Sequence, residues 1–172
     1  MACEHETCQK LSRLGVKGVV ALMYKNLYGN RVFMLGKEFK GKNKKLYNVC
    51  CGKMKKYDNG CYINAMCRKL REEYCMGPLV NDYEWFNELF MQRGRIVFRL
   101  FDRTAVFNGY FPKLDTVRIR SDIETCRENN TDMDQEVKLM DDVDWFHYDI
   151  DTLNRDDVSV FAKSVLKRMN NM

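Results

Sequence analysis

Glu72 and Glu73 stand side by side near the end of a stretch, Gly52 to Met76, whose residue types could do chemistry on a phosphate. Adjacent carboxylates offer hard oxygen ligands to a divalent cation. Arg68 lies one helical turn before Glu72, and a glycine-opened loop ahead of it carries Lys53, Lys55 and Lys56. Together they sketch a metal and phosphate site. A plainer reading uses the same residues: Arg68–Glu72 and Lys69–Glu73 are i,i+4 pairs of the kind that decorate solvated helix flanks. Both readings need a helix here. Ile63, Met66, Cys67, Leu70 and Tyr74 recur at three- and four-residue steps, which predicts one buried face. At about 100° per residue, Arg68, Lys69, Glu72 and Glu73 then gather on and beside the opposite side.

The order of residues resembles the Nudix box, which runs Gly, five residues, Glu, seven residues, then Arg-Glu-apolar-x-Glu-Glu-x-Gly-apolar. Arg68, Leu70, Glu72, Glu73 and Met76 match the second part, with Lys69 where a Glu is expected and Cys75 where a Gly is. Gly52 and Asp58 keep the glycine-to-acid spacing, but nine residues separate Asp58 from Arg68. Either the loop is two residues longer than in the family pattern, or the first Glu is missing and Gly60 occupies its place.

This resemblance implies an α/β fold, a Nudix-type α/β/α sandwich with a mixed sheet. It implies hydrolysis of a diphosphate linkage in a nucleotide derivative, assisted by Mg²⁺ or Mn²⁺. By analogy Glu72 and Glu73 would ligate the metal, with the Gly52 carbonyl as a further ligand, and Arg68 would hold Glu72. Glu136 and Glu124 are candidates for the base. Lys53, Lys55, Lys56 and Lys69 would meet phosphate. The lysine-rich approach makes an RNA 5′ end or cap an attractive substrate, as in viral decapping-type members, beside free nucleotide derivatives. Lys69 cuts against catalysis, because its ammonium would compete with the metal. The alternative is therefore a catalytically impaired Nudix-fold protein that binds or regulates through nucleotide or RNA.

Composition sets the bounds. The chain has 172 residues, enough for one domain with a full core. It is 45% apolar and 31% charged, as soluble globular proteins are. No apolar run reaches membrane-spanning length, and the start lacks the apolar segment of a signal peptide. The expectation is a protein of the cytoplasm (of a host cell if the source is viral), with neither a membrane nor DNA as partner. Its eight cysteines are then expected as reduced thiols; Cys3, His5 and Cys8 lack an obvious fourth zinc ligand. Lys37, Lys40, Lys42, Lys44, Lys45, Lys53, Lys55 and Lys56 crowd the approach to the helix, and would keep a loop solvated or draw in a polyanion.

The elements that must position these residues read as follows. Residues 1–14 are a polar lead-in with a short helix from Cys8 to Leu14. Val16–Tyr24 and Arg31–Gly36 form a hairpin, and Leu46–Cys51 is a strand delivering Gly52. Asp58 or Asn59 is placed to cap the site helix, which stops before Gly77-Pro78. A further helix is expected over 82–93 and strands over Arg95–Phe101, Thr104–Tyr110, Asp115–Ile119, Glu136–Met140 and Trp145–Tyr148. Ser121–Gln135 reads as loop or short helix, and 156–169 as a closing helix.

Overall fold

A computed structural model describes residues 5–76, 90–92, 95–96, 98–129 and 139–169. The chain runs α1 (Glu6–Arg13), β1 (Gly18–Leu27), β2 (Asn30–Lys37), β3 (Tyr47–Asn48) and β4 (Cys50–Lys53). A 3₁₀ turn (Lys56–Asp58) leads to α2 (Tyr62–Tyr74). Then come β5 (Met91–Gln92), β6 (Arg95–Ile96), β7 (Phe98–Phe101), β8 (Thr104–Tyr110), α3 (Thr116–Asn129), β9 (Asp142–His147), α4 (Ile150–Leu153) and α5 (Val160–Met169).

The main sheet is ordered β3-β2-β1-β8-β7, with β4 added to β1 and β9 to β2. Strands β1 and β8 are parallel and the other pairs antiparallel, so the sheet is mixed. Strand β1 alternates between two cores. Val19, Ala21 and Met23 join α1, α2 and α3 on one face. Val20, Leu22 and Tyr24 join α5 on the other. Burial on both faces explains why VVALM reads as an unbroken apolar run. The result is the expected α/β/α sandwich with a mixed sheet.

Several expectations change. The lead-in is not merely polar, since Cys8 and Leu11 of α1 are buried in the core. The Asp115–Ile119 strand is the first part of α3, where Ile119 and Ile123, one turn apart, supply the buried face. Helix α5 starts at Val160 rather than at 156: Ser159 Oγ accepts from Ala162 N at 3.0 Å, while Asp157 bonds Arg155 at 2.7 Å. The helix expected over 82–93 lies largely outside the described residues, although Met91–Gln92 within it are strand. Glu136 lies outside them too, as do residues 136–138 of that expected strand.

Thiol chemistry also differs from expectation. Cys75 and Cys126 form a disulfide, Cα to Cα 6.4 Å, tying the end of α2 to α3. Cys75 takes the left-handed conformation (φ 53°) that glycine adopts most readily at a helix end. The site helix therefore ends in the conformation the family pattern's glycine would supply.

Gly36 marks where α2 meets the sheet. A Cβ there would stand 2.6 Å from Met140 Cγ and 2.8 Å from Cε1 of the fully buried Tyr74. Methionine can shift; a ring packed on all sides cannot. Gly36→Ala should cost about 1–3 kcal/mol by overpacking, read as a lower urea midpoint at unchanged slope. An unchanged midpoint would mean that Tyr74 has room to move.

Candidate functional site

Helix α2 buries Ile63, Met66, Cys67, Leu70 and Tyr74 as their spacing predicts. Its polar side is not the solvated flank that plain i,i+4 pairs would make. The side chains of Arg68 and Lys69 are 13% exposed, that of Glu72 16% and that of Glu73 9%. They pack beneath β4 and the 3₁₀ turn, which cover them because β4 folds back antiparallel on β1.

Asp58 and Asn59 do not cap α2. Its N-cap is Cys61, which makes no side-chain capping bond. Asp58 is buried and faces Arg68: Nε reaches Oδ1 at 3.0 Å and Nη2 reaches Oδ2 at 3.0 Å, a fork-to-carboxylate pairing. Asp58 also accepts from Lys55 N at 2.7 Å. Arg68 donates further to Lys53 O at 3.1 Å and to both Glu72 oxygens at 3.4 Å. Its contacts to Glu72 are the long ones, and its shorter bonds go to the loop acid.

Lys69 lies across Gly52. A Cβ on Gly52 would stand 2.5 Å from Lys69 Cδ, so this glycine clears a path for the lysine stem over β4. The ammonium at its end sits 3.2 Å from Glu72 Oε2 and 3.1 Å from Glu73 Oε1. Burial lowers its pKa, but Glu73 and Glu72 outweigh that and hold the ammonium charged above the ordinary lysine range. Cys50, buried on β4, shares a hydrogen bond with Glu73. Burial raises that thiol well above its usual range, so it is the donor.

Burial pushes the Glu73 carboxyl up to about 7, with Lys69 pulling the other way. The folded chain therefore keeps a proton between 4.5 and about 7 that the unfolded chain releases. Stability from this group is full below 4.5 and declines by about 3 kcal/mol as pH rises to about 7. Glu73→Gln should remove that decline. Urea unfolding of both chains across the window tests it, and parallel profiles would mean an ordinary carboxyl.

A cavity of about 100 Å³ lies over Lys69 and Glu73, walled by Glu38, Phe39 and Met140. Such a space holds an ion or a few waters, whereas small-molecule sites run to about 300–1,000 Å³. Glu73 Oε2 is buried without a hydrogen-bond partner among the described residues. Beyond that oxygen, the donors do not suit a divalent ion. No group of three metal-ligating side chains occurs among the described residues. A divalent ion on Glu72 and Glu73 would also lie about 4 Å from the Lys69 ammonium, costing on the order of 8 kcal/mol at an effective dielectric of about 20. The residues as arranged do not fit the metal.

The other expected site residues scatter. Lys53 and Lys55 border a separate cleft with Lys17, and Lys56 is exposed on the 3₁₀ turn. Glu124 is exposed on α3. His5 accepts from Thr7 N at 3.3 Å and so caps α1. Cys50, Glu38 and Lys17 were missed by sequence reasoning. The signal for Cys50 was its place on the strand that delivers Gly52, and Lys17 joins Lys53 only through strand pairing.

Solved structures supply the comparison. The Nudix domain of NrtR from Shewanella oneidensis, complexed with ADP ribose, superposes with a TM-score of 0.50 at 11% identity, covering 91% of this chain and 86% of that one. A mutT/nudix family protein from Listeria innocua gives 0.44 at 14% identity over 90% of both chains. The C-terminal domain of mouse MUTYH, in complex with human PCNA, gives 0.47 at 9% identity over 90% and 86%. No protein-family model matches the sequence, and no curated protein does. The chain has a Nudix-type fold.

Proposed function

We propose that this chain, over 1–172 as one domain, binds a nucleoside diphosphate derivative inside the cell, and that Lys69 takes the place of the divalent cation. One observation carries the reading: the Lys69 ammonium lies within 3.2 Å of both Glu72 and Glu73. A bound ammonium neutralises the carboxylates but presents no metal-polarised water for attack on phosphorus. The ligand class draws on the fold, since the NrtR Nudix domain is complexed with ADP ribose. The lysines before α2 suit any such polyanion, an RNA 5′ end or cap included.

A second reading is metal-dependent hydrolysis, favoured by Glu73 Oε2, which has no hydrogen-bond partner among the described residues and lies beside the cavity. It requires Lys69 to leave Glu73, so that Glu72, Glu73 and the Gly52 carbonyl could hold Mg²⁺ or Mn²⁺.

Calorimetry with ADP-ribose, a dinucleoside polyphosphate and capped RNA, each in EDTA and in Mg²⁺, separates the two. Binding in EDTA with no product in Mg²⁺ is the expected outcome. Metal-dependent turnover that disappears in Glu73→Gln would establish the hydrolase instead. Failure of every compound to bind would sink the binding reading.

A further inference from the structure

We propose that Lys17, Lys53 and Lys55 form a site for an oligophosphate chain, in a cleft separate from the Lys69–Glu73 cavity. The cleft measures about 410 Å³, with Val16, Met54 and Tyr62 as its apolar lining. It shares no lining residue with the 100 Å³ cavity over Glu73. This inference therefore stands apart from whether Lys69 excludes a metal.

Lys17, Lys53 and Lys55 are exposed around one concavity, and none has a carboxylate partner among the described residues. The nearby acid of the loop, Asp58, is buried and engaged by Arg68. Three uncompensated ammonium groups repel one another unless a multivalent anion joins them. Two or three linked phosphoryl groups meet that need in a space this size.

Met54 N donates to Lys17 O at 2.8 Å, and Lys17 N donates to Arg103 O at 2.8 Å, so the two lysine-bearing segments are laced together. Tyr62 OH donates to Val16 O at 2.6 Å, fixing the first turn of α2 beneath them. Arg68 clamps Lys53 O at 3.1 Å. The backbone that carries the three lysines is thus set before a ligand arrives, which reduces the ordering cost of binding. The source of the phosphates, a nucleotide or an RNA 5′ end, is left to the ligand's other half.

Titration calorimetry of the full chain with inorganic tripolyphosphate tests the site. The native chain should bind one equivalent, more weakly as salt is added. Lys17→Glu with Lys55→Glu should weaken binding by about tenfold or more, and Lys17→Gln with Lys55→Gln by a smaller factor. Lys113→Glu with Lys167→Glu, the same charge change at exposed positions before α3 and on α5, should leave affinity within about twofold. Competition by a nucleoside triphosphate and by a 5′-triphosphorylated oligoribonucleotide then identifies the source. Absence of binding at millimolar tripolyphosphate would overturn the site. So would equal affinity in the native chain and both Lys17/Lys55 variants, or an equal loss in the Lys113/Lys167 control.

Discussion

Lys69→Glu should turn this chain into a divalent-cation binder. The substitution removes the ammonium from between Glu72 and Glu73. It adds a carboxylate one turn before Glu73, at the position where the Nudix pattern has one. Two changes act together: a repulsion on the order of 8 kcal/mol disappears, and a third hard ligand arrives. Against them stands the mutual repulsion of three carboxylates in a half-buried site, which should lower the variant's stability without metal. Mn²⁺ titration followed by electron paramagnetic resonance should show affinity at least about a hundredfold above that of the native chain, a conservative fraction of the removed repulsion. Metal should also raise the variant's melting temperature. Hydrolysis of ADP-ribose or a dinucleoside polyphosphate in Mg²⁺ should appear with it if the ligand's phosphates reach this site. Equal Mn²⁺ affinity in the two chains would refute the idea that Lys69 is what excludes the metal.

Arg68→Ala should be the most damaging single change in stability around the site. Asp58 is 2% exposed and receives the whole fork of the guanidinium. Removing Arg68 leaves that carboxylate buried with Lys55 N as its remaining donor among the described residues, and strips Glu72 of one of its cations. Breaking a buried pair from one side costs about 3–5 kcal/mol, more than the pair itself contributes. The expected loss is therefore about 4 kcal/mol in urea unfolding. Asp58→Asn in the Arg68→Ala background should recover part of it, because an amide tolerates burial better than an unpaired charge. A loss below about 1 kcal/mol would place the pair among surface ion pairs, contrary to its burial.

Helix α2 was legible because the three- and four-residue recurrence of Ile63, Met66, Cys67, Leu70 and Tyr74 is a local property of the chain. The hairpin at Tyr28-Gly29 and strand β8, which the structure bounds at Thr104 and Tyr110 as expected, were legible for the same reason. Helix α3 was misread at its start because TVRIR alternates like a strand, and only the packing of Ile119 and Ile123 on the α2 side of the sheet selects the helical period.

Residue order by itself determined the site helix, its box-like sequence and the anomaly at Lys69. Only the tertiary structure decided what those side chains meet. Strand β4 returning along β1 brings Gly52 over Lys69 and Cys50 to Glu73. The loop between β4 and α2 carries Asp58 back to Arg68, and strand pairing sets Lys17 beside Lys53 and Lys55. Periodicity is written in neighbouring residues, whereas these contacts depend on strand register and loop path, which the whole core fixes together.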